Sequence, residues 1–347
     1  MNLTIDRFQG TYLGGIIGAA IASPTKGSDR AKIINYQGQH WLTARNALAE
    51  TIIEVPRLEI DDLITLLDRL LGNDNLDCFG QAFIKDNQNN SLRKKSLPED
   101  IIPKNKKSTL LKCHNNILVL LPLIIFLSDN QDLFKKVITQ CNLKSVIDRE
   151  TQEDILIWSH LLNLNSKLEL QNKNLSQIIK LVLTDVQLKT TNLIEKLELV
   201  IWVWENGLSL HELTEKLFTL GNPSQIAIAL SCYCFASTPQ DFKFCVKRAA
   251  SLNQNIAWLT TSLTGTLSGA YNGVTDIPWN WRAIADKNQT YQQAQHTAMN
   301  LYKTWLGIYS PETSQALYNH ELDAVASINI IQPRKSLKII SQKSYLN

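Results

Sequence analysis

The side chains that stand where chemistry could be done in this chain are mostly amides, joined by one arginine. Asn253, Gln254 and Asn255 sit together just ahead of a long apolar helical pattern, and His114, Asn115 and Asn116 sit ahead of another. Thr43, Arg45 and Asn46 share a third stretch, QHWLTARNALAE. Short polar side chains placed before buried helices are capping residues, because their oxygens accept from the first free backbone N–H groups. The same groups can also hold a ligand, and Arg45 would bring to it a planar fork suited to gripping phosphate with two hydrogen bonds. Carboxylates are scarce nearby. The acidic doublet Asp61–Asp62 falls in the opening turn of a helical pattern beyond Pro56, where the helix dipole favours negative charge, and it reads as a solvated pair.

Two glycine-striped segments must position these residues. Gly10, Gly14 and Gly18 recur every fourth residue near the start, and Gly265, Gly269 and Gly273 repeat the spacing far downstream. On a helix each set makes one narrow stripe along which a second backbone can come close. The spacing predicts that the two helices cross, which would carry Asn253 to Asn255 toward the first helix. The second helix should stop near Gly273 and give way to a turn anchored by Trp279 and Trp281, with Pro278 between.

Three blocks in order, GTYLGGIIGAAIA, CHNNILVLLPLIIFLSDN and LTGTLSGAYNGVTDIPWNW, resemble the ADP-ribosylglycohydrolase family, which includes the enzyme that removes ADP-ribose from dinitrogenase reductase. The likeness spans about residues 8 to 310. It implies a compact all-α, multi-helix domain that hydrolyses the N- or O-glycosidic bond of an ADP-ribosyl group. It also implies a pair of magnesium or manganese ions held by carboxylates of an early Thr-Asp-Asp-Thr motif and a late Asp-x-Asp-Thr motif.

This chain departs from that pattern at each ligand position. The early motif falls on Leu42 to Arg45 or on Thr43 to Asn46, and neither register contains an acid; Ala44 and Arg45 stand where aspartates would. The late motif falls on Asn253 to Ile256, with Asn253 and Asn255 in place of the acids. Ala19 follows Gly18 where the family carries an aspartate, and Val119 stands where it carries an arginine. Magnesium demands hard, charged oxygen ligands in near-octahedral geometry, so no metal cofactor is expected here. The resemblance with these losses points to a catalytically silent relative that works through partner or ligand contacts. Two alternatives stay open: a metal-free binder of an ADP-ribosyl or nucleotide-like anion, using Thr43, Arg45, Asn46, Asn115, Asn116, Asn253 and Asn255, and a divergent active hydrolase.

Composition excludes several other classes. A formal net charge of +3 over 347 residues argues for neither a nucleic-acid nor a membrane-surface protein. The apolar run at 117–127 is too short to span a bilayer and contains Pro122, so it belongs to a core. Six cysteines without a CxxC pair suggest buried thiols in a reducing compartment. The first 22 residues lack a basic leader with a cleavage site, so a cytoplasmic location is expected. A family-like domain over 1–326 is expected, with a basic loop at 87–108 inside a lysine-rich stretch, 85–112, that could dock an acidic protein. Residues 327–347 form a basic C-terminal tail. Capping signals at Ser209 with Glu212, Asn222–Pro223, Thr238–Pro239 with Asp241, and Ser310–Pro311 mark successive helices, and the apolar spacing within 192–206, 223–236 and 239–250 supports them.

Overall fold

Two backbones in direct contact organise the molecule. The computed structural model describes residues 4–22, 40–54, 116–140, 149–166, 175–185, 192–252 and 256–308. In chain order these carry α1 (Ile5–Ile21), α2 (His40–Glu54), α3 (Asn116–Val119), α4 (Leu121–Phe126), α5 (Gln131–Gln140), α6 (Arg149–Ser166), α7 (Leu175–Asp185), α8 (Asn192–Glu205), α9 (Leu210–Phe218), α10 (Pro223–Ala236), α11 (Phe242–Ala250), α12 (Ala257–Asn272), α13 (Trp279–Ala285) and α14 (Gln289–Trp305). No strand occurs among the described residues, and the all-α class follows.

The predicted crossing of the glycine stripes is present, and it is antiparallel. Gly10 faces Gly269, Gly14 faces Gly265, and Gly18 faces the Thr261 backbone. A Cβ on any of these glycines would run into the carbonyl of the opposite helix, so glycine is required by the approach itself. Ser262 locks the pair by donating to the Gly15 carbonyl at 2.8 Å. α12 also buries Thr260, Thr261, Thr264, Thr266 and Ser268 completely. The hydroxyls of Thr261, Thr264 and Thr266 donate to the carbonyls of Ala257, Thr260 and Ser262, four residues back on the same helix. Their donors thus stay within the helix, and they pack as small side chains.

Gly273 ends α12 at φ 89°, a left-handed conformation open to glycine at little cost. The turn beyond it is tied down by carboxylates. Asp6 of α1 accepts from the Thr275 N–H and hydroxyl, both at 3.1 Å, and its carbonyl accepts from Val274. Asp276 accepts from the Phe242 N–H at the start of α11. Trp281 is buried edge-on to Phe242, with ring centroids 6.4 Å apart, so it anchors the turn as expected. Trp279, in contrast, is 75% exposed and anchors nothing here. It opens α13 one residue past Pro278, two positions from Trp281, and α13 turns its inner face with the latter.

The other helices surround this pair. α10 is buried along nearly its whole length and packs on α12, as does α11. α14 lies on α1, where Phe8 meets Tyr302 at 5.3 Å and Trp305 at 6.4 Å. The Ser209–Glu212 capping box and the Asn222 cap before Pro223 form as read from sequence. The next helix begins later than its Thr238–Pro239 signal suggested. Asp241 is the cap, accepting from Phe244 N–H at 2.8 Å, and α11 starts at Phe242. The apolar run at 117–127 divides into α3 and α4 at Leu120, because Pro122 has no N–H to continue the ladder. No helix among the described residues is long and apolar enough to cross a membrane.

The approach of α1 to α12 makes a direct prediction. Gly14→Ala and Gly269→Ala should each destabilise the protein by about 2–3 kcal/mol, since the added methyl meets backbone that cannot give way. Gly207→Ala, at φ 65° with open space around it, should cost only about 1 kcal/mol of backbone strain. Urea unfolding of the three variants would check the ranking.

Candidate functional site

The side chain that decides the character of the site is Arg45. It lies on the inner face of α2 and is completely buried. Its guanidinium carbon stands 3.9 Å from the centre of the Tyr12 ring and 5.1 Å from that of Trp41. One terminal nitrogen donates to the Tyr12 carbonyl at 3.1 Å. Arg45 therefore bridges α2 to α1, with ring quadrupoles and a carbonyl dipole facing its charge. The Tyr12 hydroxyl donates to Asn46 Oδ1 at 3.0 Å. Burial pushes the Tyr12 phenol above its ordinary range, and the Arg45 cation pulls in the opposite direction. Ala19, further along α1, is buried as well and presents only a methyl.

Of the residues singled out in the sequence, the structure brings Arg45 and Asn46 together on Tyr12. Thr43 and Ala44 belong to the same helix α2, and Asn116 is the first residue of α3. Val119 is buried in α3. Asn115, Asn253 and Asn255 lie outside the described residues, as do Asp61, Asp62, the basic stretch 85–112, Ser310–Pro311 and the tail 327–347. α12 starts at Ala257 and reaches Gly18 of α1 one turn later, at Thr261. The opening turn of α12 and the closing turn of α1 thus stand side by side. Tyr12 is the participant that sequence reasoning missed. Its signal was available, as the one phenol inside the first glycine stripe.

A family model described as ADP-ribosylglycohydrolase matches residues 1–307. The chain belongs to the ADP-ribosylglycohydrolase family. No curated protein sequence matches it significantly. The family match ends beside Ile308, the last described residue.

The donor set present does not fit a binuclear metal site of the kind the family resemblance implies. Ala19 and Ala44 have no ligand atom, and Arg45 is a cation. Asn46 Oδ1 is already accepting from Tyr12. At about 4 Å and an effective dielectric of about 20, two unit charges repel by about 4 kcal/mol, and a divalent ion near a guanidinium by about twice that. Among the described residues no three His, Cys, Asp or Glu side chains converge as a metal site.

The described cysteines have no activated thiol. Cys232, Cys234 and Cys245 are buried and unbridged. Burial pushes the Cys232 thiol up to about 12 and Cys245 to about 11, and raises Cys234 as well. A thiol held that high is protonated at neutral pH and is a poor nucleophile or metal ligand.

Two outcomes follow. Arg45→Ala should destabilise the protein by about 3 kcal/mol through lost packing and ring contact, and Asn46→Ala by about 1 kcal/mol through the stranded Tyr12 hydroxyl, both read by thermal unfolding. Iodoacetamide at about pH 8 should leave Cys232, Cys234 and Cys245 unmodified in the native protein, as mapped by peptide mass spectrometry, and modify all three in urea.

Proposed function

We propose that this member of the ADP-ribosylglycohydrolase family is catalytically silent and acts through partner or ligand contacts. The observation that carries the reading is the fully buried guanidinium of Arg45, fixed on Tyr12 within the segment where the family resemblance puts acidic ligands. A built-in cation at such a point opposes a second cation, and the amides at Asn253 and Asn255 supply no charge to overcome it. Without a Lewis acid to polarise the ribosyl bond or lower the pKa of water, the hydrolytic route of the family has no driving group in this chain.

What remains is recognition of a partner or a ligand. The lysine-rich stretch 85–112 is suited by its charge to an acidic protein partner, and the lack of interleaved aromatics there disfavours nucleic acid. The residue types at Thr43, Arg45, Asn46, Asn115, Asn116, Asn253 and Asn255 also suit an ADP-ribosyl-like anion without metal, with Arg45 supplying the charge. In that case binding must draw the guanidinium off the Tyr12 ring.

Titration calorimetry and a hydrolysis assay test the proposal together. Magnesium or manganese alone should give no heat of binding, and ADP-ribosyl-arginine should release no ADP-ribose with either ion. Metal-dependent release would overturn silence. Binding of ADP-ribose without metal, lost in Arg45→Ala but kept in Gly207→Ala, would assign these residues to anion binding.

A further inference from the structure

Away from α1 and α12, the opening turns of three helices meet in a buried polar knot. Gln225, in the first turn of α10, is completely buried, and its amide reaches in two directions. Its Oε1 accepts from the Lys196 ammonium of α8 at 3.0 Å. Its Nε2 donates to Asp154 of α6, at 3.0 and 3.2 Å to the two oxygens, and to Glu150 at 2.8 Å. Asn192, the first residue of α8, donates to the same Glu150 oxygen at 2.8 Å, and its carbonyl accepts from Lys196 at 3.2 Å. Lys196 and Asp154 are each 2% exposed, whereas Glu150 is half-buried and opens the knot to solvent.

The amide of Gln225 has no freedom here. A cation on one side demands its oxygen, and two carboxylates on the other demand its NH2. The opening turns of α6, α8 and α10 also bring the positive ends of three helix dipoles to this place, beside the ammonium. Two carboxylates are therefore what keeps the knot electrically balanced. Burial holds the Lys196 ammonium below the ordinary lysine range, and Asp154, Glu150 and Glu195 act against that pull. When the carboxylates take up protons, the ammonium stays charged in a buried place with its compensation gone.

Among the described residues, the other charges on the packed elements are exposed or paired elsewhere. α10 and α12 contain no charged side chain. Lys180 of α7 is paired with Glu205, Arg149 with Glu153, and His211 with Glu215 on α9. Glu212 of α9 is taken by Ser209, and Lys216 of α9 stands over Trp202. The remaining charged and histidine side chains among the described residues of these elements are Asp132, Lys135 and Lys136 on α5, His160 on α6, Glu195 and Glu198 on α8, and Asp241, Lys243, Lys247 and Arg248 at α11, none of them fully buried. The side chains of the knot tie the opening turns of α6, α8 and α10 to one another, beside the apolar core that the three helices share.

We propose that Glu150, Asp154, Lys196 and Gln225 form an acid-sensitive latch that holds the opening turns of α6, α8 and α10 together and releases them when the two carboxylates are protonated. The latch is closed while both carboxylates are ionised and opens when both are protonated.

Hydrogen exchange on the full chain, read by mass spectrometry and corrected for intrinsic rate, tests this. Between about pH 7 and about pH 4, peptides covering 149–156, 192–198 and 223–227 should lose at least about tenfold protection, while peptides within 10–21 and 257–272 keep theirs. Equal protection at both pH values, or uniform loss that includes 10–21 and 257–272, overturns the latch. Asp154→Asn combined with Glu150→Gln should show the open pattern already at about pH 7, with no further change on acidification. Lys196→Met removes the buried cation and should abolish the selective acid response; a variant that responds as the parent does overturns the proposal. The comparison on the unaltered chain stands even if a variant fails to fold.

Discussion

The distance between two backbones is the constraint on which the rest of this structure depends. Helices normally meet through interleaved side chains 8–10 Å axis to axis. Here Gly10, Gly14 and Gly18 on α1 and Gly265 and Gly269 on α12 remove those side chains, so that carbonyls of each helix sit against the backbone of the other. Such contact has no tolerance for sliding or rotation. The hydroxyl of Ser262 on the Gly15 carbonyl fixes the register, and Asp6 with the turn after Gly273 fixes one end. The surrounding helices then pack on a central pair whose geometry is already settled, and Arg45 reaches that pair from outside through the Tyr12 carbonyl and ring.

A completely buried guanidinium is costly to desolvate, and its retention requires compensating contacts. Tyr12 supplies two of them, a ring face and a carbonyl, and Trp41 supplies a second ring. The arrangement turns a position of the chain where cation-binding acids would be expected into a structural strut between α2 and α1. The charge of Arg45 is held in place by the packing. In the knot, the buried Gln225, Lys196 and Asp154 each meet an oriented polar partner.

The sequence disclosed the features that rest on local rules. Glycines spaced every fourth residue announced both stripes and their crossing, and the Ser209–Glu212 and Asn222–Pro223 signals marked true helix starts. Thr238–Pro239 misled because two candidate caps stood three residues apart, and the Asp241 carboxylate, which accepts from Phe244, outcompeted the proline signal. Trp279 and Trp281 were indistinguishable by type, and only the direction of α13 decides which is buried. The setting of Arg45 was hidden for a different reason. Its position along the chain was readable, yet whether a guanidinium faces a cleft or a ring depends on Tyr12, 33 residues earlier and on another helix. Likewise the knot joins residues 75 apart, and no periodicity signals that Gln225 will meet Glu150.

The bond from Ser262 to Gly15 spans 247 residues of chain. Ten described helices lie between α1 and its mate α12 in chain order. Until α12 is present, the glycine flank of α1 lacks the backbone it packs against. The central contact is therefore a long-range one, whose loop-closure entropy must be met before its burial is rewarded, and that slows folding.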